Sequence, residues 1–185
     1  MVKKRTAEQP AQAEREKEAN RLRSTWTCRR LGASDAAIAM RLNETIRPGL
    51  VTAEGGAAFL AQARNWLFVA MQGDMPIGFA YGCELQRPNG SKCLYIHEVG
   101  VAQPWQRQGV GTALLQALAA ACHADGIPKF FLWTDQANAG ANALYRRMGG
   151  EVCPQSQGDD RAYWFYTRET AAVRSVALRG LGKSE

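Results

Sequence analysis

The chain has no uninterrupted apolar run of membrane-spanning length, and its N-terminus carries Lys, Arg and Glu where a signal peptide would need an apolar core. Those absences predict a cytoplasmic protein with no membrane partner. Cysteine is sparse and unpaired. Cys28, Cys83, Cys93, Cys122 and Cys153 are odd in number and include no C-x-x-C, so neither a disulfide framework nor a zinc ribbon is indicated, and no metal is expected. They read as small buried hydrophobes in a reducing compartment. A basic groove is missing too. The formal charge is +6, but residues 1–24 carry +3 and residues 166–185 carry +2, leaving a near-neutral body. The five Trp are scattered rather than interleaved with Lys and Arg, so a nucleic-acid partner is not expected. No internal repeat is visible.

What the chain does have is the stretch Val99 to Leu115, V-G-V-A-Q-P-W-Q-R-Q-G-V-G-T-A-L-L. It describes a strand that stops in a glycine turn and restarts as a helix. Such a turn exposes a row of unpaired backbone N–H groups, and the helix N-terminus behind them adds roughly half a positive elementary charge. That combination is a phosphate cradle. Gly109 and Gly111 have no Cβ, so a pyrophosphate can approach the backbone. The P-loop pattern fails because no Lys follows the glycines, and the dinucleotide pattern fails because Leu114 stands where its third glycine would be.

At 185 residues with 46% apolar content, the chain is long enough for one domain with a buried core. The reading is a charged N-terminal appendage over 1–24, whose part 11–23 could form a solvated helix, a domain over 25–169, and a tail over 170–185. A first strand covers Trp26 to Leu31. Ser34 and Asp35 cap a helix from Ala36 to Thr45 in which Ile38, Leu42 and Ile46 recur at helical spacing, and Pro48-Gly49 breaks it. A weaker helix runs from Thr52 to Arg64. Strands at Leu67–Met71, Ile77–Leu85 and Cys93–Val101 form an antiparallel meander. The helix from Gly109 to Asp125 buries Val110, Leu114, Leu115, Leu118 and Cys122 and stops at Gly126 ahead of Pro128. A strand Lys129–Thr134, a helix Ala139–Met148, a strand Glu151–Cys153, a loop from Gln155 to Asp160 and a strand Ala162–Thr167 complete the order βααβββαβαββ.

Gln106-Arg107-Gln108-Gly109-Val110-Gly111 resembles the acetyl-CoA pyrophosphate loop of the GNAT N-acetyltransferases, [QR]-x-x-G-x-[GA]. Downstream, Asn138-x-x-Ala141-x-x-Leu144-Tyr145 followed by Gly149 is similar to the family segment N-x-x-A-x-x-L-Y-x-x-x-G. The resemblance implies an α+β fold with a mixed sheet of about seven strands, splayed between the fourth and fifth, with about four helices. It also implies acetyl-CoA as cofactor. Val99, Gly100 and Val101 would hold pantetheine, with the Val101 N–H aimed at the thioester oxygen, where charge develops. Gln106 through Thr112 (Gln106, Arg107, Gln108, Gly109, Val110, Gly111, Thr112) would hold the pyrophosphate. Asn138, Ala141 and Tyr145 would line the same arm.

Tyr145 matches the tyrosine that protonates the departing CoA sulfur in many members. The other reading of it is a helix tyrosine packed in the core. Glu98 would accept the proton of an incoming amine or bind it directly, its other reading being a solvent-facing strand residue. Asp135 would join it, and Asp159 and Asp160 lie in a loop that could reach the same mouth to bind the substrate or be simply solvated. His97, in a regular strand, points to the face opposite Glu98 and reads as structural. Trp105 and Trp133 read as packing residues.

Acidic groups at the acceptor mouth favour a small-molecule polycationic amine. Tyr95-Ile96-His97-Glu98-Val99-Gly100-Val101 with Arg107-Gln108-Gly109 resembles the type I aminoglycoside 3-N-acetyltransferases, and so does Thr27-Cys28-Arg29-Arg30-Leu31-Gly32. Ala139 and Gly140 depart from that pattern, which is more acidic there. The alternatives are an enzyme acetylating a protein N-terminus, a lysine or a polyamine, and a non-catalytic acyl-CoA sensor. Relatives are often dimers, so a homodimer is the corresponding expectation.

Overall fold

The computed structural model describes residues 26–154, 156 and 158–167. The expected helix at 11–23, the appendage 1–24 and the tail 170–185 lie outside the described residues. Inside them, the strands are β1 (Thr27–Arg30), β2 (Asn65–Gln72), β3 (Met75–Gln86), β4 (Lys92–Val101), β5 (Lys129–Asp135), β6 (Glu151–Val152) and β7 (Asp160–Tyr166). The helices are α1 (Ala36–Thr45), α2 (Ala53–Ala61), α3 (Val110–Ala124) and α4 (Ala139–Arg147). One seven-stranded sheet runs in the order β1-β2-β3-β4-β5-β7-β6, all neighbours antiparallel except β4 with β5. This is the expected α+β fold in the expected order.

The parallel step is forced by α3, which carries the chain from the end of β4 back across the sheet to start β5 in the same direction. Its buried side chains Val110, Leu114, Leu115, Leu118, Ala119 and Cys122 recur at three- and four-residue spacing. They meet Phe68, Ile77, Leu94, Ile96, Phe130 and Leu132 on one sheet face. Each fully buried leucine there contributes about 1.5–3 kcal/mol over an exposed one. The other face, over β2 and β3, packs Leu67, Val69, Met71 and Phe79 against Ala39 and Leu42 of α1 and Leu60 of α2.

Element ends shift by a residue or two from the sequence reading, and three local details differ in kind. Asp35 stands at the N-cap of α1, but its carboxylate accepts from the Gly32 N–H and from Arg29 at 2.8 and 3.0 Å, because a short 3-10 turn over Ala33–Asp35 precedes the helix. Those bonds hold its pKa down to about 2. The second helix starts as expected behind Thr52, whose hydroxyl accepts from the Gly55 N–H, but it ends at Ala61 rather than Arg64. Strand β7 begins at Asp160, so that residue belongs to the sheet and not to the preceding loop. All five cysteines are free, Cys93 and Cys122 buried and the others half-buried. No helix among the described residues is long and apolar enough to cross a membrane.

Candidate active site at the strand splay

Strands β4 and β5 pair only at Leu94–Phe130, Tyr95–Phe131 and Ile96–Leu132. Beyond that, β4 stays with β3 as far as Val101–Gly78, and β5 stays with β7 as far as Asp135–Asp160. The two strands therefore diverge, and His97 to Val101 face a wedge with no ladder across it. The Ala102 N–H donates to the Ile77 carbonyl on β3. Alternation along the strand turns the Val101 N–H the other way, into the wedge. The Val101 carbonyl accepts from the Gln106 side-chain amide at 3.1 Å.

Gln106 to Thr112 close the foot of the wedge. Gly109 takes φ +92 as the N-cap of α3, and Arg107 takes φ +64, a left-handed conformation uncommon for a non-glycine residue. Gln108 is held by its side-chain amide, which donates to the Pro104 carbonyl at 2.7 Å. The first helical bond of α3 is from the Ala113 N–H to the Gly109 carbonyl. Among the described residues the N–H groups of Arg107 to Thr112 donate to no protein acceptor, so they remain available at the positive end of a helix. At Gly111 the missing Cβ also serves packing. A Cβ there would meet Leu144 Cδ2 at 3.1 Å and Val101 Cγ2 at 3.8 Å, which are neighbours in the core.

The open face of the sheet beside the wedge carries the charged groups. The sequence reading put His97 and Glu98 on opposite faces, and the structure corrects this. A β-bulge shifts the register so that Tyr81 pairs with Glu98 and Gly82 with Ile96, leaving His97 as the extra residue. His97 stacks on Tyr81 at 5.3 Å and lies 5.6 Å from Tyr95, on the face that Glu98 shares. The ring series continues through Phe131, stacked on Tyr95, to Trp164.

Glu98 is not free. Arg47, two residues past α1, grips it with both guanidinium arms, Nη1 to Oε1 at 2.6 Å and Nη2 to Oε2 at 3.0 Å. The bond to Glu98 raises the Arg47 pKa further. Arg47 had no place in the sequence reading.

Asp135 and Asp160 are register partners at the ends of β5 and β7. Asp135 Oδ1 accepts from the Ala137 N–H at 2.6 Å, and the Asp159 carbonyl accepts from the Gln136 N–H at 2.8 Å, so the three aspartates gather at one corner. Trp105 is partly buried against the core, whereas Trp133 is 47% exposed and does not pack as expected.

Helix α4 brings in Tyr145. Its ring lies against Tyr163 and Phe165, it is 6% exposed, and burial pushes its pKa up to about 12. Its hydroxyl has no hydrogen bond among the described residues. No side-chain polar atom there is both fully buried and unpartnered, so the hydroxyl reaches accessible space. Asn138 caps α4, its Oδ1 accepting from the Ala141 N–H at 3.1 Å, and Ala141 packs partly buried on the core. The sequence reading missed Asn142. It is 4% exposed, donates to the carbonyls of Asp135 and Asn138 at 2.9 and 2.7 Å, and accepts from the Tyr163 hydroxyl at 2.8 Å.

Near Glu98, beyond Tyr81, a cavity of about 260 Å³ opens between α1, α2 and the sheet, lined by Leu42, Leu50, Val51, Phe59, Phe79 and Tyr81 among others. Tyr81 joins it to the Glu98 pair.

A family model described as the acetyltransferase (GNAT) family matches residues 38–150. N-alpha-acetyltransferase 50 of Danio rerio is 30% identical over 80 residues, 43% of this chain and 47% of that protein, so the match spans about half the length of that curated relative. The crystal structure of an aminoglycoside acetyltransferase from an uncultured soil metagenomic sample, in complex with trehalose, superposes with a TM-score of 0.61 at 21% identity, covering 72% of this chain and 90% of that one. NAA60 of Arabidopsis thaliana, in complex with acetyl-CoA, superposes with a TM-score of 0.61 at 15% identity, covering 77% and 98%. At these identities the structural likeness is one of fold.

Proposed function

The match over residues 38–150 covers more than half of the chain and makes it a member of the acetyltransferase (GNAT) family, and on that premise we propose that it is an acetyl-CoA-dependent N-acetyltransferase acting on an aminoglycoside at the 3-amine. Such a reaction would confer resistance to those antibiotics, and its place would be the cytoplasm. Acetyl-CoA supplies an activated acetyl thioester whose sulfur can leave. The free N–H row from Arg107 to Thr112 suits its pyrophosphate. The Val101 N–H in the wedge would donate to an oxygen that gains negative charge. Tyr145 would hold a proton toward the departing sulfur, and Glu98 would take the proton of the attacking amine.

The observation that carries the acceptor class is the charge of the open face. Asp135 and Asp160 are register partners at the ends of β5 and β7, and a polycation would pair with both. Glu98 already holds a cationic nitrogen group with both oxygens.

Thiol release from acetyl-CoA should be followed against a panel of aminoglycosides, polyamines and peptides. Turnover is expected with aminoglycosides, with kcat/KM reduced by on the order of 10²-fold in Glu98→Gln. Product analysis should place the acetyl group on the 3-amine of the deoxystreptamine ring; another position keeps the enzyme class and overturns the regiochemistry.

The apolar cavity beside Tyr81 favours a second reading, an acceptor with an apolar arm such as the first side chain of a protein N-terminus. Transfer to peptides with none to aminoglycosides would establish it. Cofactor binding without turnover on any amine would identify an acyl-CoA sensor.

A further inference from the structure

We propose that Arg47 is a built-in competitor for the acceptor: its guanidinium occupies the place at Glu98 that the substrate ammonium has to take, and so sets how strongly cationic amines are bound. This rests on the reading of Glu98 as the acceptor carboxylate. Three observations support it.

The contact is two-pronged, at 2.6 and 3.0 Å, and engages both carboxylate oxygens, so while Arg47 is in place the charge of Glu98 is already paired and another cation meets only its outer lone pairs. The pair is not buried structure, because the Arg47 side chain is 54% exposed and that of Glu98 26%. The backbone that carries Arg47 is independently fastened. The Asn43 side-chain amide donates to the Val51 carbonyl at 2.7 Å, and the Val51 N–H donates back to Asn43 Oδ1 at 2.9 Å. The arc from Ile46 to Leu50 is thereby stapled at its base. Release of Glu98 then needs only rotation of an exposed side chain, which is fast and leaves α1 and the cavity wall unmoved.

The strength of the contact fits a gate rather than a lock. An exposed ion pair contributes a factor of up to about five in an equilibrium constant, and a binding-competent state populated at that fraction weakens apparent affinity by the same factor. An acceptor bearing several ammonium groups can displace one guanidinium. The factor is the same for every acceptor that needs Glu98 open, so a singly charged amine, which binds more weakly to begin with, is the first to drop below useful affinity.

The test compares the full-length protein with Arg47→Met, which keeps the stem and removes the charge, and Arg47→Lys, which keeps the charge and loses the fork. Steady-state kinetics are measured with kanamycin, spermidine and a Met-initiated peptide, and calorimetry gives kanamycin binding. KM and Kd for the amines should fall about two- to fivefold in Arg47→Met and less in Arg47→Lys, by the same factor for every acceptor that pairs with Glu98. kcat and the KM for acetyl-CoA should stay constant. A raised or unchanged amine KM in Arg47→Met, with wild-type turnover intact, overturns the gate and leaves the proposed function standing. A fall in kcat together with thermal stability would make the pair structural and also overturn it. Turnover or amine binding that appears only in Arg47→Met supports a shut gate. If neither protein binds or acetylates any of the amines, the acceptor reading fails and the gate falls with it.

Discussion

Replacing Tyr145 by Phe removes one oxygen from a side chain whose ring is fixed by Tyr163 and Phe165 at centroid distances of 5.4 and 6.2 Å. The hydroxyl has no protein partner among the described residues, so unfolding free energy should change by no more than about 0.5 kcal/mol. The effect on chemistry is separable from that. Burial lifts the phenol to about 12, while an ordinary thiol ionises near 8.5, so complete proton transfer to a departing thiolate runs uphill by about 5 kcal/mol. The hydroxyl would therefore act mainly through a hydrogen bond that strengthens as the sulfur gains charge, worth about 1.5–3 kcal/mol. That converts to a loss of roughly 10- to 100-fold in kcat, the low end of general-acid effects. Because the shift is upward, the acid stays protonated as pH rises, and kcat should show no alkaline limb from this group below about pH 10. Single-turnover acetyl transfer over pH 6–10, with acetyl-CoA affinity measured separately, is the assay. Wild-type single-turnover rates in a folded Tyr145→Phe protein would return the residue to core packing.

Gly109→Val should weaken acetyl-CoA binding by at least about tenfold in calorimetry, since φ +92 is closed to a β-branched residue and the N–H row has to re-aim. The cause is backbone conformation rather than crowding, because a Cβ there would meet only Trp26, at an ordinary 3.8 Å; unchanged affinity in the folded variant would remove the cradle. Asn142→Ala should destabilise by about 2–4 kcal/mol in urea denaturation, because it strips the partner from the buried Tyr163 hydroxyl and from the turn carbonyls of Asp135 and Asn138. A change under about 0.5 kcal/mol would mean that water replaces the amide.

Element order, the glycine turn and the face of α3 were legible because each rests on local periodicity or on a backbone position that favours glycine. Contacts between distant segments were not. Arg47 follows a helix and precedes Pro48-Gly49, which marks a turn but says nothing of a carboxylate 51 residues away. Asn142 sits inside the Asn138 to Tyr145 segment, yet its importance comes from Tyr163 on another strand, a pairing that only the completed sheet creates. The α1 cap failed for a local reason: Asp35 had two better donors, the Gly32 N–H and Arg29, than the helix it begins.

The misplaced histidine shows how fold and chemistry are tied in β4. Leu94 and Ile96 point into the core under α3, and so do Val99 and Val101, but Ile96 and Val99 are three residues apart, which breaks a period of two. A regular strand would have resolved that conflict in one of two ways. It could turn Val99 and Val101 outward, losing their packing beside Gly111 and Leu144, with Glu98 driven into the apolar layer, or it could give up the pairing with β3. Burying an unpaired carboxylate costs several kcal/mol, so the first is excluded, and the register on both sides of the bulge excludes the second. The extra residue at His97 satisfies both halves of the strand. It keeps the valines inward, where they close the floor of the wedge, and turns Glu98 outward to the face that carries Asp135 and Arg47. The slip in apolar spacing was therefore the sequence signal for the bulge, and the same slip turns the Glu98 carboxylate to the open face of the sheet.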